Sequence, residues 1–144
     1  MAKTGTQDIL LVEDDAADIY VIQRAIADCS PHLRVWVVSR GSEALAFLRQ
    51  EPPFVNAPCP ALIFLDLNLP QRDGRAILAD LRGLSTHQTT PVVIISGSKR
   101  EEEEARCREL GANAYVQKSR DFTTYFGSIQ AVVRDWLGAD CPPP

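Results

Sequence analysis

Residues 9–18 read ILLVEDDAAD, four apolar residues running straight into Glu13, Asp14 and Asp15. Two carboxylates about 4 Å apart repel by roughly 4 kcal/mol at an effective dielectric near 20, so the cluster needs an offsetting charge. Three further polar residues close apolar runs in the same way: Asp66 after LIFL, Ser96 after VVII and Lys118 after YVQ. Carboxylate oxygens joined by a backbone carbonyl suit Mg2+, a hard cation that takes oxygen ligands and keeps several waters. A carboxylate can also attack phosphorus and form an aspartyl phosphate. Such transfers rest mainly on positioning and charge neutralisation. A metal, one lysine and one hydroxyl would supply both, and an ionised carboxylate needs no general base.

These residues can meet only if the chain brings the ends of their strands together. Short apolar runs end near Val12, Val38, Leu65, Ile95 and Val116, with segments of helical character between them. After the first run, Ile19, Ile22 and Ile26 fall at i, i+3 and i+7, one face of an amphipathic helix. LRVWVV (33–38) is β-branched and aromatic and reads as a strand. SEALAFLRQ (42–50) is rich in helix formers, and EPPFVNAPCP (51–60) holds four prolines and reads as a loop. ALIFL (61–65) predicts a buried strand, NLPQRDG (68–74) a turn, residues 75–84 a helix, and VVIIS (92–96) a strand. Ser98 to Glu101 fits a capping box, EEEE (101–104) a solvated first helical turn favoured by the helix dipole, and Gly111 the stop of that helix. AYVQ (114–117) predicts the last strand. Asp121 would cap a final helix running to about Leu137, beyond which the prolines cannot extend it.

Five strands alternating with five helices predict an α/β fold, a doubly wound five-stranded parallel sheet covered on both faces. Sites in such sheets form at the carboxyl ends of the strands. There the polar residues fall: Glu13 and Asp14 after the first strand, Asp66 at the third, Ser96 at the fourth, Lys118 after the fifth.

The 144 residues suit one domain. Hydrophobic residues at 45% and charged residues at 24% fit an ordinary globular protein. A net charge of −4 argues against nucleic acid as a partner. No apolar run reaches the roughly 18–20 residues that span a bilayer, and the N-terminus shows no secretory h-region, so the expected location is cytoplasmic. Cys29, Cys59, Cys107 and Cys141 match no zinc spacing and read as reduced, unpaired thiols. His32 and His87 lie in polar, turn-like surroundings and read as surface residues.

From about Asp8 to Leu137 the chain resembles the receiver domain of bacterial response regulators. The resemblance rests on the acid pair ED, the block LDLNLP followed by DG, a hydroxyl after the fourth strand and a lysine after the fifth, in that order. It implies the strand order 2-1-3-4-5, with residues 1–7 an N-terminal extension and 138–144 a tail. It further implies that Asp66 is the phosphoacceptor, and that Asp14, Asp66 and the Asn68 carbonyl ligate Mg2+ with Glu13 acting through water or at a distance. Asp15 would lie outside the metal shell, at the start of the helix. Ser96 and Lys118 would bind phosphoryl oxygens, Tyr115 would switch between outward and inward positions, and Asn68 and Ser98 would tune the phosphoryl lifetime. One departure is Ser119, where the family usually has proline after the lysine in a bond that is commonly cis. A cis bond before serine costs about 3–4 kcal/mol, so the loop is either trans in a different shape or strained.

The proline-rich segment 51–60 and the STHQTTP loop resemble the small regulators partnered with cyanobacterial phytochromes. That resemblance implies a stand-alone regulator phosphorylated by a phytochrome-type sensor histidine kinase, and a homodimer through the last strand and helix. The broad stripe Phe122, Tyr125, Phe126, Ile129, Val132, Val133, Trp136 and Leu137 suits such a partner surface. A phosphohydrolase of the haloacid dehalogenase type would need a second acid where Asn68 stands. A flavodoxin-like flavin protein would need a phosphate-cradling loop where EDDAAD is acidic. A pseudo-receiver that binds partners without phosphorylation is the alternative.

Overall fold

The computed structural model describes residues 6–70, 73–98 and 101–139. Five strands, β1 (Gln7–Val12), β2 (Leu33–Val38), β3 (Leu62–Asp66), β4 (Val92–Ser96) and β5 (Ala114–Gln117), form one parallel sheet in the order β2-β1-β3-β4-β5. The helices between and after them are α1 (Ala16–Ala27), α2 (Gly41–Arg49), α3 (Gly74–Arg82), α4 (Glu101–Glu109) and α5 (Phe122–Leu137). A short 3-10 turn covers Ser85–His87.

The near-continuous apolar strands β1, β3 and β4 are buried on both faces, whereas the edge strand β2 leaves Trp36 and Val37 exposed. Alternate residues feed two separate cores, because side chains of a strand point to opposite faces with period two. Leu10, Val12, Ile63, Leu65, Val92 and Ile94 pack with Phe47, Ile77 and Leu78 of α2 and α3. Ile9, Leu11, Leu62, Phe64, Val93 and Ile95 pack with Ile22, Ile26, Ile129 and Val133 of α1 and α5. The registers Val12↔Leu65, Asp66↔Ile95 and Ser96↔Gln117 align the carboxyl ends along one rim.

β3 begins at Leu62 and closes on Asp66 itself, so the acid lies inside the ladder. Asp15 caps α1, its carboxylate accepting the Asp18 N–H at 2.9 Å. The capping-box reading at Ser98–Glu101 spans residues 99 and 100, which lie outside the described residues. Gly111 adopts φ 106°, and an added Cβ would meet the Arg82 side chain at 2.9 Å, so glycine is required there on both counts.

Two sequence expectations are corrected. His87 is buried, its Nε2 3.2 Å from the Leu48 carbonyl and its Nδ1 3.0 Å from the Thr90 hydroxyl. A carbonyl only accepts, so Nε2 carries the proton. Cys29 is disulfide-bonded, whereas Cys59 and Cys107 are free thiols. Among the described residues no helix is long and apolar enough to cross a membrane.

Candidate functional site

The β1 ladder ends as the Glu13 N–H donates to the Val38 carbonyl at 3.0 Å. The Glu13 side chain turns back onto its own backbone, where Oε1 accepts the N–H groups of Asp14 (3.2 Å) and Asp15 (3.1 Å). This leaves Glu13 fully buried and Asp14 exposed at the rim. Asp66 is also buried, and its Oδ1 accepts the Asn68 N–H at 3.0 Å. An isolated antiparallel bridge from Asn68 to Asp73 closes the turn that follows, and Asp73 in turn caps α3 by accepting the Arg75 N–H at 2.9 Å.

The fold therefore converges the acids that the sequence leaves in two separate stretches. Glu13, Asp14 and Asp66 can each offer a carboxylate oxygen within 4.8 Å of the others. Burial, then the adjacent Asp66, pushes the Glu13 carboxyl up to about 8. Among the described residues the buried Glu13 Oε2 accepts no hydrogen bond, and it lies 3.2 Å from the Lys118 ammonium. An all-oxygen donor set of three converging carboxylates fits a hard divalent cation.

Lys118 enters from the loop after β5. Its Nζ lies 2.9 Å from Asp18 Oδ2, 3.2 Å from Glu13 Oε2 and 3.4 Å from Asp66 Oδ2. Burial works to lower its pKa, but the Asp18 bond and the charges of Glu13 and Asp66 outweigh that and hold it above the ordinary lysine range. Its backbone N–H donates to the Ser96 carbonyl at 2.7 Å. Among the described residues only Pro52–Pro53 is cis, so Lys118–Ser119 is trans, and the loop delivers the lysine without the expected proline.

Ser96 is fully buried at the end of β4. Its hydroxyl donates to Glu103 Oε1 at 2.8 Å and accepts the Ser98 N–H at 3.1 Å. The half-buried Tyr115 donates to the same Glu103 oxygen at 2.7 Å, with the Ser98 carbonyl 3.2 Å away. Burial and the Glu103 carboxylate push the Tyr115 phenol up to about 12.

Sequence reasoning missed three residues. Asp18 ties Lys118 to α1 and accepts the buried Tyr125 hydroxyl at 3.0 Å. Its place as an acid in the first turn of α1, three residues after the N-cap Asp15, was the available signal. Tyr125 gave no signal beyond its place in the apolar stripe. Glu103 is not part of a wholly solvated turn. It shares a face with the buried Cys107 at i+4, which marks it as the glutamate of the run that faces the sheet.

The sequence profile of the response regulator receiver domain matches residues 9–130. The response regulator Rcp1 of Synechocystis sp. is 36% identical over 129 residues, covering 90% of this chain and 88% of its own. The crystal structure of the phosphorylated cyanobacterial phytochrome response regulator RcpA superposes with a TM-score of 0.88 at 39% identity, covering 96% of this chain and 100% of its own. The Mn2+-bound form of Rcp1 gives 0.85 at 35% identity, covering 96% and 99%.

Proposed function

The chain belongs to the response regulator receiver family of two-component systems, and from that premise we propose that Asp66 accepts a phosphoryl group from a sensor histidine kinase. The observation that carries this reading is the buried Asp66 carboxylate, which converges with Glu13 and Asp14 and lies 3.4 Å from the Lys118 ammonium. Glu13, Asp14, Asp66 and the backbone carbonyl of Asn68 would hold Mg2+. The ion supplies charge neutralisation for a transfer between two anions.

An Asp66 oxygen attacks the phosphorus of a phosphohistidine. The O–P bond forms as the N–P bond breaks, and the electron pair returns to the imidazole, which takes up a proton. The product is an acyl phosphate. Lys118 neutralises one phosphoryl oxygen as a point charge, and the Ser96 hydroxyl donates to another. Tyr115 follows Ser96 as the switch residue. Asn68 and Ser98, each two residues beyond a site residue, tune how long the phosphoryl group lasts. Chemistry is confined to this self-modification and its reversal, so the chain acts as a signalling module more than a turnover enzyme.

Similarity to Rcp1 and RcpA supports a kinase of the phytochrome type. The output is protein contact, including a homodimer through β5 and α5. Exposed Phe122 stacks against Phe126 at 5.4 Å between ring centroids, and Trp136 is partly exposed. A neighbouring cleft of about 820 Å³ is lined by Tyr115, Val116, Ser128 and Val132 among others. The acidic balance speaks against nucleic acid, and nothing in this reading calls for a membrane or for a location other than the cytoplasm.

The test is intact mass after incubation with acetyl phosphate, with and without Mg2+. A gain of about 80 Da, one phosphoryl group, is expected in the wild type with Mg2+ and in neither the Asp66→Asn variant nor the metal-free sample. Absence of the gain in folded, Mg2+-loaded wild type would overturn the reading in favour of a pseudo-receiver.

A further inference from the structure

The Ser96 hydroxyl has one proton, and that proton is spent on Glu103 Oε1 at 2.8 Å. Its lone pairs take the Ser98 N–H at 3.1 Å. A hydroxyl can donate only once. If Ser96 is to donate to a phosphoryl oxygen, its bond to Glu103 has to break first. The bond is charge-assisted, and such bonds are roughly twice as strong as neutral ones. The same oxygen also accepts the Tyr115 hydroxyl at 2.7 Å, so one carboxylate ties the phosphoryl-facing hydroxyl and the switch tyrosine into a single unit. Glu103 further lines a small cleft with Asn68, Asp73 and Arg75, beside the turn that follows Asp66. An incoming phosphate there meets another negative charge.

We propose that Glu103 is a latch specific to this site: it withholds the Ser96 hydroxyl from the phosphoryl position and holds Tyr115 with it until phosphorylation displaces it. Glu103 is thus a positioning residue that acts through Ser96, and the inference rests on the proposed role of Ser96 toward the phosphoryl group. Its neighbours in the EEEE run do not share this role. Glu104, one residue on, pairs instead with Arg108 at 3.1 Å on the solvent side.

The test measures Mg2+-dependent phosphorylation by acetyl phosphate in the wild type, Glu103→Ala, Glu103→Gln, Glu104→Gln, Ser96→Ala and the double variant Ser96→Ala/Glu103→Ala. Removing the acceptor in Glu103→Ala should raise the maximal rate about tenfold, the scale of one charged hydrogen bond. Glu103→Gln, which keeps a neutral acceptor, should give a smaller rise. Glu104→Gln removes the same charge without touching Ser96 and should leave the rate at the wild-type value. The decisive arm is the double variant. A latch acting through Ser96 predicts that Glu103→Ala has no effect once the Ser96 hydroxyl is gone. An equal rise with and without Ser96, or no rise in Glu103→Ala, would overturn the latch while leaving Asp66 as the acceptor. No phosphorylation of any variant, wild type included, would overturn the phosphorylation reading and the latch together.

Discussion

Lys118 lies within reach of three carboxylates, but its shortest contact, 2.9 Å, is to Asp18 and not to Asp66 at 3.4 Å. In this state the lysine is anchored on α1, and Asp18 is in turn bonded to the buried Tyr125 hydroxyl. The proposed phosphoryl group would compete with Asp18 for the ammonium. Lys118→Ala is therefore expected to permit phosphorylation, since Asp66 and the metal ligands stay, but to blunt the conformational response. Comparing amide NMR shifts with and without phosphorylation checks this. A full response in Lys118→Ala would sink the role, as would loss of phosphorylation itself. Asp18→Asn tests the anchor. It weakens two bonds of which one is to a cation, so an unfolding free-energy loss of about 1–3 kcal/mol is expected. Tyr125→Phe, which deletes only the neutral donor, should lose about 1 kcal/mol. Urea unfolding in metal-free buffer measures both, and equal losses would show that Lys118 takes nothing from Asp18.

Among the elements, the turn between β3 and α3 sets the position of the acceptor. A Cβ placed on Gly74 would lie 2.6 Å from Leu67 Cα and 2.8 Å from the Asp66 carbonyl oxygen. Those are backbone atoms that cannot swing aside. The start of α3 therefore presses directly on the residues flanking Asp66, and only glycine allows the approach. Gly74→Ala should destabilise the fold by about 1–3 kcal/mol as overpacking does. It should also slow Asp66 phosphorylation roughly tenfold to a hundredfold, because sub-ångström displacement of a reacting group is costly. Intact-mass kinetics on folded protein would check it, and wild-type rates would show that the turn does not position Asp66. The sequence made this element legible through LDLNLP and DG, and the strands through their apolar runs. β2, β4 and β5 match their expected bounds because composition alone marks a strand, whether buried as β4 is or largely exposed as β2 is. It could not reveal which residues meet across the rim. The Asp18–Lys118 pair joins α1 to the loop after β5, and Glu103 reaches Ser96 from α4. Such contacts depend on packing rather than on local pattern. His87 failed for the same reason: its polar neighbours suggested solvent, but the loop folds onto α2, which offers the Leu48 carbonyl as a partner.

Over the whole molecule, Cys107, Tyr115, Tyr125 and Lys118 are shifted in the same direction. Burial raises the Cys107 thiol above its ordinary 9.0. Burial and the nearby carboxylates raise Tyr115 from 10.0 to about 12 and carry Tyr125 still higher. The carboxylates around Lys118 raise it above 10.5 against the effect of burial. In each case the folded chain keeps a proton that the unfolded chain has already released once pH passes the ordinary value. Where the unfolded state binds fewer protons, stability falls as pH rises. The contribution is fully present below pH 9 and is lost progressively between about 9 and 12. At fixed ionic strength these four groups should make urea unfolding midpoints drop steadily above pH 9, beyond the range in which Glu13, raised to about 8, adds its own loss. Tyr115→Phe deletes one of these protons. It should begin less stable at pH 8 but lose less between pH 10 and 11.5, so the two curves converge. A wild-type midpoint that is flat or rising over that interval would mean that these side chains reach solvent in the folded state. The hydrogen bonds joining Tyr115 to Glu103 and Tyr125 to Asp18 would then not hold the rim of the sheet together.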